Sequence, residues 1–269
     1  MAGVEPMQEQ NRRWSAEMPD IYDRVLVPVT FAPFAKDIAA RVASRGPRRV
    51  LELAAGTGVV TRELLAIQGV EEVVATDLNP GMVEVGRARV PDARWEAADA
   101  MALPFEAGEF DAVVCQFGVM FFPDKVAGFA EARRVLAPGG AFHANSWGPL
   151  ETHEFEGAYM TAVRAAIPDD PPDFLATVPH GYPDPERFAA DARSAGFTTV
   201  DVDSVTLRTG TLTPYDAAMG YCGGTPMRAG LEGRGDLTEL SVAIARETER
   251  ILGRDPTTLS MAANVLTAS

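Results

Sequence analysis

Cysteine is almost missing from this chain. Cys115 and Cys222 are the only two in 269 residues, and neither has a second cysteine or a histidine at ligand spacing. That leaves no disulfide framework and no Cys/His zinc site, so no metal is expected. Long hydrophobic runs are missing too: nothing reaches the roughly 18 apolar residues of a membrane span. The opening MAGVEPMQEQ lacks the basic-then-apolar order of a secretory signal. The cytoplasm is therefore the expected compartment, and a membrane is not an expected partner. Positive charge is scarce. Lysine and arginine total 24 against 38 aspartates and glutamates, a net charge of −14. That average repels a phosphate backbone, so nucleic acid is not expected as a partner. The one basic cluster, Arg41 to Arg49, reads as a solvated helix end and loop. Histidine is limited to His143, His153 and His180.

What remains is ordinary globular material, 46% hydrophobic and 23% charged, enough for a substantial core at this length. One elaborated α/β domain over 1–269 is expected. Ile38 and Val42, with Ala39 and Ala43 beside them, mark a helix face within 21–45. Val50 to Leu53 reads as a buried strand. Val60, Leu64 and Ile67 then fall at helical spacing. EEVVATD is a second strand ending at Asp77, and Asn79-Pro80 opens a helix as cap and first-turn proline. Ala93 to Ala97 is a short strand, and Phe110 to Cys115 is a strand too apolar to be an edge. Asp124 caps the next helix, APGG (137–140) reads as a tight turn, and 141–147 as a fifth strand. Strand and helix alternate, which predicts a doubly wound, mostly parallel sheet with its ligand at the carboxyl ends of the strands. Beyond 149 the pattern is less regular: short helices to 190, a strand over 198–208, helices over 214–252 and a final strand in TLSMAANVLTAS.

The chemistry concentrates where strands end. In LELAAGTGVVT, Gly56 and Gly58 follow a strand and precede a helix, so the backbone there can approach a ligand and offer N–H groups to it. A dinucleotide fingerprint wants a third glycine three positions on, and that position is Thr61. Asp77 ends the second strand, where a carboxylate can accept both hydroxyls of a ribose. Asp99, with Ala100 and Met101, follows the third strand, where an adenine ring would lie. Each aspartate has a simpler reading as a turn or cap residue.

Taken in order, VLELAAGTG, VVATDLNPGMV, AADAMALPF, FDAVVCQFGVMFFPD and VLAPGG resemble the class I S-adenosylmethionine-dependent methyltransferases. The nearest likeness is to the ubiquinone/menaquinone biosynthesis C-methyltransferase group, with a small-molecule acceptor. The resemblance covers about 21–148. It implies a Rossmann-like seven-stranded sheet, order 3-2-1-4-5-7-6 with strand 7 antiparallel. It also implies N-terminal lid helices over 1–45, a cofactor-binding core over 46–148, and lid or acceptor-side helices over 149–197 and 213–252. The cofactor would be S-adenosyl-L-methionine and the product S-adenosyl-L-homocysteine. Gly56 and Gly58 would pass near the methionine moiety, and Gln116 and Phe117 would lie beneath it. Asp77 would hold the ribose, Leu78 and Met82 would pack on adenine, and Asp99 and Ala100 would meet its edge. Tyr22 and Phe31 would cover the cofactor. Met82 reads equally as a core methionine.

The sulfonium already activates the methyl carbon, so alignment and exclusion of water are the enzyme's main tasks, worth up to about 7–11 kcal/mol in well-aligned cases. No Asn/Asp-Pro-Pro-Tyr/Phe run follows the fourth strand, and no carboxylate cluster there matches the magnesium site of catechol-type O-methyltransferases, which leaves metal-independent methylation of carbon, oxygen or nitrogen. No catalytic residue declares itself. His153 and His180 are the candidates for a base, competing with surface or capping roles, while His143 reads as core. Phe121 (or Phe122), His153, His180 and Tyr221 are the acceptor-side candidates. Two other classes compete. A nicotinamide-dependent dehydrogenase would want the third glycine and a Tyr-x-x-x-Lys, which neither Tyr159 nor Tyr215 supplies. A non-enzymatic module would be favoured by loss of Gly56, Gly58 or Asp77, and all three are present. Oligomeric state is open between monomer and homodimer.

Overall fold

The computed structural model describes residues 22–269. The expectations for residues 1–21 and for the side chain of Tyr22 lie outside the described residues. The sheet has seven strands in the order β3-β2-β1-β4-β5-β7-β6. They are β1 (Arg49–Glu52), β2 (Glu72–Asp77), β3 (Arg94–Ala97), β4 (Phe110–Gln116), β5 (Leu136–Trp147), β6 (Val200–Arg208) and β7 (Ser260–Ala268). β1 pairs in parallel with β2 and β4, while β7 runs antiparallel between β5 and β6. This is the order and orientation that the family resemblance implies.

The central strands are apolar because both faces are covered. Side chains alternate across β1. Val50 packs with Ile38, Val42, Val60 and Leu64 on one face, and Leu51 packs with Phe34, Phe110, Val113 and Phe142 on the other. The first face is covered by α1 (Ala32–Ala43), α2 (Val59–Leu65) and α3 (Pro80–Arg89); α4 (Lys125–Val135) and α7 (Pro185–Ser194) cover the second. Asn79 caps α3 by accepting from the Gly81 N–H at 2.8 Å, with Pro80 in the first turn. Asp124 caps α4 from Ala127 N at 3.0 Å. Both starts follow from cap chemistry legible in the sequence.

APGG is a turn inside a strand. Pairing of β4 with β5 jumps from Phe110–Leu136 to Ala112–Ala141, so residues 137–140 bulge out while β5 continues on either side. The separate fifth strand expected at 141 therefore begins at Leu136.

The second half builds its own apolar cluster. α5 (Glu154–Ala166), α8 (Pro214–Gly224) and α10 (Leu237–Leu252) pack Phe155, Tyr159, Met160, Tyr221 and Ile244 together, with α6 (Phe174–Thr177) and α9 (Met227–Glu232) beside them. Against this cluster lies a π-helix, Tyr22–Phe31, which runs into α1 and contains Pro28. A Cβ at Gly220 would stand 2.6 Å from Val25, so α8 sits directly against that helix. The basic cluster is neutralised locally: Arg41 pairs with Asp37 and Asp203, Arg48 with Glu71, and Arg49 with Glu72 and Glu109. Among the described residues no helix is long and apolar enough to cross a membrane.

Packing is tight where α3 meets β3. A Cβ on Gly86 would fall 2.2 Å from the Trp95 ring, which is held by its indole N–H donating to Val90 O at 3.0 Å. Gly86→Ala is expected to destabilise by about 1–3 kcal/mol through overpacking. Gly157→Ala, on α5 with nothing within 4 Å, should gain up to about 1 kcal/mol from helix propensity. Urea unfolding of the two variants beside wild type measures both signs.

Candidate active site

β1, β2 and β4 end together at the point where the chain's winding direction reverses. Two turns there bend through the left-handed region without glycine: Ala54 (φ +51°) after β1 and Phe117 (φ +50°) after β4. Such backbone costs roughly 1–3 kcal/mol per residue and persists only where the surroundings fix it. Here they do. Phe117 N donates to Asn145 Oδ1 at 2.8 Å, and Ala55 N donates to Thr76 O at 2.9 Å. A Cβ on Gly118 would lie 2.5 Å from the Cβ of Ala54, so the glycine lets the two loops touch. Gly56 (φ +56°) meets nothing within 4 Å of a built Cβ; its conformation, rather than crowding, calls for glycine.

One cavity of about 240 Å³ opens over these strand ends. Its first end is walled by Gly56, Asp77, Leu78, Met82, Asp99 and Ala100, with Met101 beside them. Asp77 Oδ2 accepts from Gly56 N and Oδ1 from Asn79 N, both at 2.9 Å. Each oxygen keeps a further lone pair, so the carboxylate can still receive two hydroxyls. Burial raises the acid's pKa, opposed by the Asn79 and Gly56 N–H groups. Asp99 Oδ1 accepts from Met101 N at 2.9 Å. The loop that follows is pinned by α4: Arg134 donates to the carbonyls of Leu103 and Phe105, and Glu131 accepts from Leu103 N.

The middle of the cavity is aromatic. Phe117 stacks on Trp147 with centroids 3.4 Å apart, and Phe31 meets both rings at about 6 Å. Gln116 Nε2 donates to Phe31 O at 3.3 Å, while its Oε1 is buried with no hydrogen-bond partner among the described residues. Leu26, Thr30 and Phe31 of the π-helix form the cover. That cover is strapped down by Asp23, which accepts from Thr57 Oγ1 at 2.7 Å and pairs with Arg89.

The far end is walled by Phe121, Phe174, Leu175, His180, Tyr221 and Glu156. Lys125 fixes the 119–122 turn by donating to Met120 O and Phe122 O at 3.0 and 2.6 Å. Tyr221 donates to Glu156 Oε1 at 2.6 Å, and His180 Nδ1 lies 2.8 Å from Gly148 O. His153 and His180 are 1% and 6% exposed, so the surface alternative is overturned, while His153 does stand at the N-cap of α5, without a side-chain cap bond; the Pro179 and α5 segments fold inward over β5. His153 is not on the cavity wall. It sits behind Trp147 and His180, its Nε2 2.9 Å from Ala262 O. His143 is core, with burial lowering its pKa to about 4. Gly58 also lies off the wall, its missing Cβ making room for Val90 and Trp95. Sequence reasoning missed Glu156 and Trp147. The first stands three residues after His153 at a helix start, and the second closes a strand at the ligand end.

Residues 50–140 match the family described as a methyltransferase domain. Over 172 residues the chain is 37% identical to the demethylmenaquinone methyltransferase of Beutenbergia cavernae, covering 61% of this chain and 71% of that one. Over 193 residues it is 32% identical to the Deinococcus radiodurans enzyme of the same name, covering 67% and 80%. The chain belongs to the class I S-adenosylmethionine-dependent methyltransferases. Among solved structures, a Haemonchus contortus phosphoethanolamine N-methyltransferase 2, bound to phosphomonomethylethanolamine and S-adenosylhomocysteine, shares the methyltransferase fold. Its TM-score is 0.61 at 16% identity, covering 98% of this chain and 60% of that one. The cofactor of this methyltransferase is S-adenosylmethionine.

Beneath the glycine loop of the methyltransferase lies Glu52, 1% exposed, accepting from Thr61 Oγ1 at 2.6 Å. Burial pushes its carboxyl up to about 8, with Asp77 adding to the shift against the Thr61 bond. Between about pH 4.5 and 8 the folded chain therefore holds a proton here that the unfolded chain has lost, and stability falls as pH rises through that window. Glu52→Gln should remove this slope. Its stability relative to wild type should improve by up to about 4 kcal/mol between pH 5 and 8. Urea unfolding of both proteins across that range measures it; parallel profiles would refute the neutral carboxyl.

Proposed function

We propose that the protein transfers the methyl group of S-adenosylmethionine to a small, largely apolar acceptor of quinone-like type, without a metal. The observation that carries this reading is the continuity of one cavity, from Gly56, Asp77 and Asp99 at one end to His180 and Tyr221 at the other. When bound, the cofactor supplies a methyl carbon made electrophilic by its sulfonium.

In this reading Asp77 accepts the two ribose hydroxyls on its remaining lone pairs, while Leu78 and Met82 pack on the adenine. Asp99 accepts from the adenine amine, with Ala100 and Met101 along its edge. Gly56, the unpartnered Gln116 Oε1 and Phe117 receive the methionine end. Phe31 and Leu26 close over it and exclude water, so the acceptor meets the methyl carbon in a fixed orientation. Phe121, Trp147, Phe174 and Leu175 offer the acceptor flat, apolar walls, a surface suited to the kind of acceptor named for the two menaquinone-pathway relatives. The proposal includes action in the cytoplasm on a free small molecule; the net charge of −14 argues against a nucleic acid acceptor.

Calorimetric titration tests the reading directly. Wild type should bind S-adenosylmethionine and should not bind NADH. Asp77→Ala should weaken the sulfonium cofactor roughly a hundredfold or more, since two charge-assisted hydrogen bonds are lost. Unchanged affinity in that variant would remove Asp77 from the site.

A further inference from the structure

We propose that His180 is the general base of the reaction, taking at Nε2 the proton of a ring hydroxyl on the acceptor, and that His153, Glu156 and Tyr221 position it. This rests on the methyltransferase reading and specifies its acceptor as a flat compound bearing a phenolic or enolic hydroxyl.

The tautomer follows from one contact. Nδ1 of His180 lies 2.8 Å from Gly148 O, and a carbonyl only accepts, so Nδ1 carries the hydrogen. The lone pair of the neutral ring is then on Nε2, and His180 lines the cavity. The ring is held edge-on against His153 at 4.5 Å and tilted against Trp147 at 6.4 Å. The groups that face it are His153 and Glu156 on α5 and its cap, and Glu151 in the preceding turn. Burial, aided by His153 and opposed by Glu156, holds the imidazole below its usual range, so at neutral pH it rests unprotonated and ready to accept.

The surrounding charges say what kind of acceptor fits. Glu156 is 3% exposed, yet its carboxyl is held down to about 2. Burial is outweighed there by His153, His180 and the Tyr221 hydroxyl. His153 Nδ1 stands 3.6 Å from Glu156 Oε2. Glu156 Oε1 is taken up by the Tyr221 hydroxyl, while Oε2 has no hydrogen-bond partner among the described residues. A neutral hydroxyl entering between apolar walls needs an acceptor for its proton, and Nε2 of His180 is the base on that wall.

The step balances without a further reactant. The hydroxyl proton passes to Nε2, and the O–H pair stays on the acceptor, shared between oxygen and the adjoining ring carbon. The acceptor uses that pair to bond the methyl carbon, and the methyl–sulfur pair passes to sulfur, giving the neutral thioether. Attack through carbon gives a ring ketone, and that carbon's proton then moves to the oxygen to restore the aromatic hydroxyl. The imidazolium returns its proton to solvent when product leaves.

The test uses 4-nitrophenol, whose ionised form is read by its own absorbance, titrated into full-length protein saturated with S-adenosylhomocysteine. In wild type at about pH 6 the bound phenol should appear as phenolate. His180→Asn keeps a donor toward Gly148 O but removes Nε2, and should lower that phenolate fraction roughly tenfold or more while leaving S-adenosylhomocysteine affinity unchanged. Glu156→Gln removes the charge that favours imidazolium, so it should move ionisation of the bound phenol to higher pH without abolishing it. Phenolate formed equally in His180→Asn, a bound phenol that stays neutral in wild type, or no nitrophenol binding at all would each overturn the proposal. Failure of wild type to bind S-adenosylhomocysteine would instead overturn the methyltransferase reading itself, and the base with it.

Discussion

The parallel pairing of β1 between β2 and β4 carries the site, because it makes three strands stop side by side and leaves their following loops to meet. Asp77 then joins two of those loops, receiving N–H groups from Gly56 and Asn79 at 2.9 Å each. Gly118 lets the third approach until its Cα lies against Ala54. The left-handed turns at Ala54 and Phe117 are tolerated because neighbouring backbone and Asn145 hold them. Remove the alignment and none of these contacts has a partner. The residues around the cofactor end are thus fixed by backbone, which is the stiffest material available.

The other end is made differently. His180, Glu156 and Tyr221 come from three segments of the helical second half, brought together by the apolar cluster of α5, α8 and α10. Their geometry depends on side-chain packing and on a short chain of hydrogen bonds that ends at Gly148 and Ala262. One half of the cavity is therefore a property of the sheet, and the other half belongs to the particular helices laid over it.

That division also sets what could be read beforehand. The strand ends were legible because glycine after an apolar run, aspartate at a strand terminus and Asn-Pro at a helix start each have a local physical reason. Asp99 stood out by its place after the third strand, while Leu78, Met82 and Gln116 came only with the family resemblance that those marks carry. Glu156 and Trp147 have no such local reason. Much of their importance arises from residues far along the chain, such as Tyr221 on Glu156 and the Phe31 ring on Trp147. His153 and His180 look like surface residues in sequence because their segments are rich in proline and charge; tertiary folding over β5 is what buries them. The bulge at APGG shows the same limit at smaller scale. Turn residues announce a turn, but only the partner strand says whether the strand resumes.

The cover is a segment of its own, distinct from the sheet it lies on. A π-helix is a loosely wound form, and Pro28 removes a backbone donor from the middle of this one. Its attachments are both polar and apolar: Asp23 to Thr57 and Arg89, Phe31 O to Gln116, Val29 O to Gly210, and Leu26 and Val25 packed into the second-half cluster. Opening these ten residues breaks those contacts but none of the strand pairing of the sheet. Entry and exit of a cofactor can then be confined to this one short segment while the floor of the site stays folded.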